Sequence, residues 1–157
     1  MKYIYAEDLQ KRMEEMVVLL SMDHIDTNRV KCFRSMGSST KRTLARCHTI
    51  GKLMQKAMNV GAHYTIEFLE KFEKLSVKEQ DKVIIHELLH IPKTFGGGFR
   101  QHDFVCEENV DLLHQKYVNL KKKDLGHFDS NPVIEDKPEP YSTSFASGIK
   151  EWLNSRL

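Results

Sequence analysis

Residues 76–92 are the most constrained segment of this 157-residue chain, because both of its ends carry signals that delimit a helix. Ser76 followed by Glu79 is a capping box, in which a hydroxyl and a carboxylate pair backbone groups that the first helical turn leaves unsatisfied. Pro92 prevents clean continuation of the helix. The residues between are dense in apolar side chains, namely Val83, Ile84, Ile85, Leu88, Leu89 and Ile91. The segment therefore predicts a mostly buried helix that begins at Val77.

This helix carries the motif His86-Glu87-Leu88-Leu89-His90. Side chains four residues apart on a helix lie about 5–6 Å apart on one face, so one metal ion can be bound by both imidazoles. Zinc prefers such nitrogen ligands, and a catalytic zinc site keeps one position for water. Glu87 lies about 100° around the helix from His86, where its carboxylate can act on that water as a general base and acid. The motif predicts a Zn²⁺ site with Glu87 as the catalytic residue.

A hydrolytic zinc site needs a third protein ligand, and His102 is the first candidate. It follows the glycines Gly96–Gly98, which predict a loop able to fold the imidazole back towards the ion. The alternative is a residue of the following helix, where four side chains are candidates as ligand or as support for one: Glu107, Glu108, Asp111 and His114.

The remaining segments predict an α+β fold. A helical period of apolar residues predicts helices over 6–22, 52–59 and 103–120. Short β-capable runs predict strands over 30–34, 44–48 and 63–69, with polar residues 37–42 connecting the first two as a hairpin. We expect one domain over 1–123, followed by a proline-containing tail over 124–157 with a possible short helix at 149–155.

Composition excludes several classes of protein. The formal charge of +2 is too small to imply nucleic acid or an anionic membrane as a partner, and no apolar run reaches membrane-spanning length. Three cysteines without CxxC spacing indicate neither a disulfide framework nor a cysteine zinc site, which favours a cytoplasmic location.

The block Ile85–His102 resembles the metallopeptidase family found in archaea and phages, a minimal-zincin group. Val30–Ser38 is similar to the first strand and turn of that family, and the resemblance covers roughly Val30 to His114. It implies a zincin-like α+β fold, with a small mixed sheet packed on the active-site helix and a further helix. It also implies zinc held by His86, His90 and His102, with Glu87 as the catalytic acid and base. The layout is more distantly similar to SprT-like proteases, although the chain lacks their cysteine zinc ribbon.

Two functions follow as expectations. The first is zinc-dependent hydrolysis of peptide bonds in a peptide or protein substrate. An extended substrate is expected to pair with the strand Tyr64–Leu69, and four residues are candidates for steadying the oxyanion: Arg100, His114, Tyr117 and His127. The alternative is a nucleic-acid-associated binding module with a structural zinc, which would use the basic residues Arg34, Lys41, Arg42 and Arg46.

Overall fold

A mixed four-stranded sheet organises the chain, and the computed structural model describes residues 1–126. The strands are β1 (Lys2–Tyr5), β2 (Val30–Met36), β3 (Ala45–Thr49) and β4 (Tyr64–Leu69). The helices are α1 (Glu7–Leu19), α2 (Lys52–Met58), α3 (Val77–Leu89) and α4 (Glu107–Leu125), with short 3-10 turns at Thr27–Arg29 and Glu70–Lys74. The predicted α+β class is confirmed. The expected short helix at 149–155 lies outside the described residues.

The strand order β1-β2-β4-β3 contradicts one prediction from the sequence. β4 lies between β2 and β3, parallel to β2 and antiparallel to β3, so β2 and β3 do not form the predicted hairpin. The interior position of β4 also rules out the expectation that Tyr64–Leu69 pairs with substrate, because both of its edges are occupied. β3 is an outer strand of the sheet instead. β1, which the sequence did not indicate, pairs with the other side of β2.

One face of the sheet carries the core. Residues directly opposite each other on neighbouring strands share a face, and Cys32, Cys47 and Ile66 are opposite one another across three strands. They join a buried apolar cluster that includes Tyr64 and Phe68 of β4. α1 contacts β2, α3 contacts β3, and α4 contacts both α1 and α3. The helices thus cover this face. In the described residues, no helix is both long and apolar enough to cross a membrane.

A buried amide joins α1 to the sheet where β1 stops. β1 pairs only with residues 33–36 of β2, which leaves the first residues of β2 without a strand on that side. Gln10, 3% exposed, supplies the missing partners. Its side chain donates to the Val30 carbonyl oxygen at 3.0 Å and accepts from the Cys32 N–H at 2.9 Å. Buried backbone groups are therefore satisfied without a longer β1.

Candidate metal centre

α3 begins and ends as its sequence predicts. The Ser76 hydroxyl accepts from the Glu79 N–H at 3.3 Å, and the Glu79 carboxylate accepts from the Ser76 N–H at 2.9 Å. Arg12 of α1 holds the same end of the helix, donating to Asp81 at 2.8 Å and to Gln80 at 2.9 Å. The last turns of α3 are buried, so the motif residues sit in the interior of the protein on a firmly anchored helix.

His86 and His90 project together from the end of α3. The Nε2 atoms of the two rings are 3.2 Å apart, and the ring centroids are 4.9 Å apart. Two nitrogen ligands on a tetrahedral ion with metal–nitrogen distances of about 2.0–2.1 Å are roughly 3.3 Å apart. The pair therefore already has the separation that such an ion requires.

His102 joins the pair through the glycine-containing loop. Its ring centroid lies 4.8 Å from that of His90 and 5.9 Å from that of His86. The ligand atoms of the three histidines all lie within 4.8 Å of one another. Within residues 1–126, these three histidines form the group of potential metal ligands that converges in this way. Three imidazoles form a donor set that suits zinc and related transition metals.

Backbone contacts orient His90. Its Nδ1 lies 3.0 Å from the Arg100 carbonyl oxygen, and the Arg100 N–H donates to the His90 carbonyl oxygen at 2.8 Å. A carbonyl oxygen only accepts, so Nδ1 carries the proton and Nε2 presents its lone pair to the other two rings. Ligating histidines commonly have such a partner on the second nitrogen. The same reciprocal contact ties the loop before His102 to the end of α3.

The loop itself is anchored by Tyr64 and Gln55. The Tyr64 hydroxyl accepts from the Gly97 N–H at 2.9 Å and donates to the Gly98 carbonyl oxygen at 3.0 Å. Burial raises the pKa of Tyr64, which keeps this hydroxyl protonated. Gln55 of α2 donates to the Gly96 carbonyl oxygen at 3.1 Å.

Gly97 is required at its position in the loop. Its φ is +94°, a conformation that side chains with a Cβ rarely adopt. A Cβ there would also lie 2.7 Å from the Ile50 carbonyl oxygen. The loop that delivers His102 therefore depends on a residue without a side chain.

His90 and His102 border an open cavity of 280 Å³, with Glu87 in its wall. Glu87 is fully buried, and Cys47 of β3 and Phe99 of the loop line the same cavity. Burial and the nearby Glu87 carboxylate raise the pKa of the Cys47 thiol well above its ordinary value, which keeps it neutral. The cavity therefore offers a carboxylate beside the imidazoles, within a partly apolar wall.

The other candidate ligands from the following helix are placed elsewhere. Asp111 pairs with Lys82 at 2.6 Å, and His114 lies 3.7 Å from Asp81. His114 is buried, and burial lowers its pKa. Glu107 and Glu108 open α4 and, like Asp111, are not in the converging group within the described part of the chain.

The candidates for steadying the oxyanion are spread over the molecule. Arg100 lines the cavity, with its guanidinium 3.3 Å from the centroid of the Phe104 ring. The Tyr117 hydroxyl donates to Glu15 at 2.9 Å, which turns it towards α1. His127 lies outside the described residues.

The basic residues of the alternative function are partly neutralised. Arg34 donates to Asp8 at 2.6 Å and to Glu73 at 2.7 Å. Arg46 lies 3.9 Å from the buried Glu67 carboxylate. Lys41 and Arg42 remain exposed. The region thus presents less positive charge than its sequence indicates.

Cys47, Tyr64 and Gln55 were not identified from the sequence as parts of the site. Only the pairing of β3 with β4 places the Cys47 side chain on the α3 side of the sheet. Tyr64 bonds to Gly97, which is 33 positions further along the chain, and Gln55 bonds to Gly96, which is 41 positions further along. The sequence predicts a strand over 63–69 but carries no signal for the contacts of the Tyr64 hydroxyl.

The chain matches a known protein family. Residues 1–128 match the family model described as "Putative phage metallopeptidase". No curated protein and no solved structure match the chain. The matched region contains every described element of the fold, including the three histidines.

Proposed function

The chain belongs to the phage metallopeptidase family, and we propose that it is a zinc-dependent peptidase of zincin type with Glu87 as general base and acid. The observation that carries this proposal is the convergence of His86, His90 and His102 beside a cavity that also contains Glu87. Nε2 of His86 and of His90 would bind the ion, and His102 would complete the set of three ligands. Three protein ligands beside an open cavity are typical of catalytic zinc sites, whereas structural sites have four protein ligands.

A zinc ion held by these histidines would supply Lewis-acid chemistry, which polarises a peptide carbonyl and lowers the pKa of a bound water to about 7. Glu87 lies next to His86 on α3, and its carboxylate in the cavity wall would accept the proton of the water that attacks the peptide carbonyl carbon. The protonated carboxyl then returns the proton to the nitrogen of the leaving amine. The contact from His90 Nδ1 to Arg100 keeps the imidazole oriented throughout.

β3 supports an extended peptide substrate. Next to β3, the Leu44 carbonyl oxygen accepts from the Leu69 N–H of β4, and the Ile50 N–H donates to the carbonyl oxygen of His63, the residue before β4. Backbone groups alternate in direction along a strand, so those of Cys47 and Thr49 point away from β4. The Cys47 side chain lines the cavity at the same point. A peptide that pairs with this edge passes directly beside the three histidines.

The experiment that tests this function compares the wild-type chain with Glu87→Gln. The variant is expected to keep one zinc per chain, because glutamine replaces no ligand, and to lose cleavage of an unfolded protein by about 10²–10⁴-fold. Zinc content by elemental analysis and cleavage by peptide mass spectrometry provide the two readouts. Undiminished cleavage by Glu87→Gln refutes the assigned mechanism, and absence of cleavage by zinc-loaded wild type refutes the function.

A further inference from the structure

α2 turns its apolar side chains to solvent. Leu53, Met54 and Met58 are 82%, 51% and 55% exposed, and no residue of this helix is buried. The polar Gln55 points inward instead and bonds to the Ile50 and Gly96 carbonyl oxygens. A helix that packs only for stability has the opposite arrangement, with its apolar side inward.

The exposed apolar residues form one surface. At 100° per residue, Leu53, Met54, Ala57 and Met58 fall within an arc of about 140°. We call these four residues the α2 face. Two of them are methionines, whose flexible side chains adapt to varied apolar partners. Contiguous exposed apolar surface of this kind marks an interaction site.

α2 lies next to the loop that carries His102. β3 ends at Thr49 and α2 starts at Lys52, so a chain running along the edge of β3 meets α2 at one end. Gln55 links α2 to Gly96, in the loop that carries His102. α2 therefore starts at one end of the edge that the proposed function assigns to substrate.

The charged residues close to the α2 face are basic. Neither residues 45–66 nor residues 88–102 contain any aspartate or glutamate. The same two segments contain five lysines or arginines, namely Arg46, Lys52, Lys56, Lys93 and Arg100, of which Arg46 lies 3.9 Å from the Glu67 carboxylate and is partly neutralised. Lys52 and Lys56 flank the α2 face directly, and both are exposed. A partner that carries carboxylates complements this region.

We propose that the α2 face binds an apolar, acidic segment of the protein substrate that runs beyond the edge of β3. The inference rests on the proposed peptidase function and names its substrate class. Backbone groups of β3 that point outward favour a polypeptide over a lipid surface, because only a polypeptide can pair with them as a further strand. The five residues of β3 span about 17 Å, so only substrates of about ten residues or more reach both β3 and α2.

Binding is tested with full-length protein carrying Glu87→Gln, so that the probe is not cleaved. The probe is a fluorescent peptide of about twelve residues with equal numbers of leucine and glutamate. The double change Met54→Ser and Met58→Ser is expected to raise its Kd about tenfold, because two apolar contacts are lost. The matched control is Val18→Ser with Leu112→Ser, which alters side chains that are 74% and 65% exposed on α1 and α4.

The control pair is expected to leave the Kd unchanged, and a peptide with lysine in place of glutamate is expected to bind at least about tenfold more weakly. Three results overturn the proposal: an unchanged Kd in the α2 variant, equal binding of the lysine peptide, or α2-dependent binding to anionic phospholipid vesicles in place of peptide. A dimer that the α2 variant abolishes, seen by analytical ultracentrifugation, assigns the surface to a second copy and also overturns it.

A second assay separates this inference from the proposed function. Zinc-loaded wild type is given a fluorogenic peptide of about four residues, too short to reach α2. Cleavage of this peptide without α2-dependent binding of the long one refutes the α2 inference alone. Binding of the long peptide without cleavage of either refutes the proposed function and the description of the bound segment as substrate.

Discussion

Removing the hydroxyl of Tyr64 tests whether the loop is held in place to deliver His102. Tyr64→Phe deletes the hydrogen bonds to Gly97 and Gly98 but keeps the ring, which packs against Phe95 at 4.9 Å between centroids. Each hydrogen bond contributes about 1 kcal/mol, so the ordered loop loses about 2 kcal/mol. If the whole of this free energy is lost from zinc binding, the Kd for zinc rises about thirtyfold.

The observed effect should lie between about threefold and thirtyfold, because other contacts still hold the loop. Gln55 keeps its bond to Gly96, and Arg100 keeps its reciprocal bonds to His90. The assay is zinc competition against a chromophoric chelator, at a pH where the histidines are neutral. Tyr3→Phe is the matched control, because Tyr3 is 58% exposed on β1.

An equal zinc Kd in Tyr64→Phe and Tyr3→Phe would refute the reasoning, since the loop would then need no anchor. Loss of folding in Tyr64→Phe, seen by circular dichroism, would also contradict it. The ring and its packing are kept, and the hydroxyl alone should not decide whether the sheet forms.

Two further predictions concern stability. Gln10→Leu should lower the free energy of unfolding, measured in urea, by about 2–4 kcal/mol, because it leaves buried backbone groups of Val30 and Cys32 unpaired. A loss under about 0.5 kcal/mol is ordinary for a surface substitution, and it would show that water replaces the amide. The pKa of Asp8 is lowered to about 2 by hydrogen bonds from Arg34. A carboxyl group whose pKa is lower in the folded than in the unfolded protein stabilises the fold at pH values above its unfolded-state pKa. This stabilisation is lost as the pH falls through the folded-state pKa. Asp8→Asn should therefore destabilise the protein at pH 7 and not below about pH 2. The pair is largely exposed, so the difference should stay under about 1 kcal/mol in thermal unfolding, and equal effects at both pH values would argue against the ion pair.

Local signals in the sequence predicted α3 best. The capping box of Ser76 and Glu79 and the stop at Pro92 depend only on neighbouring residues, and the structure has both. The identity of the strands over 30–34, 44–48 and 63–69 was also predictable, because alternation is local.

Strand order was not predictable, because periodicity says which face a residue occupies and nothing about its partner strand. β2 and β3 were therefore joined as a hairpin, while the structure inserts β4 between them. β1 gave no signal, since all four of its residues are exposed and none alternates with a buried one. The burial of His114 beside Asp81 likewise depends on how α4 meets α3.

The candidate site shows the same division. His86, Glu87 and His90 follow from a motif on one helix, and His102 was named from the glycines before it. Cys47 and Tyr64 enter the site from β3 and β4, and only the three-dimensional pairing of these strands brings them to the loop and the cavity.

Zinc-edge anomalous diffraction from a crystal grown with ample zinc tests the central claim most directly. The account predicts one strong anomalous peak about 2.0–2.1 Å from a ring nitrogen of each of His86, His90 and His102, with the Glu87 carboxylate outside bonding distance of the ion. A zinc ion bound by Glu107, Glu108 or Asp111 in place of His102, or the absence of an anomalous peak among the three rings, would contradict this assignment of ligands.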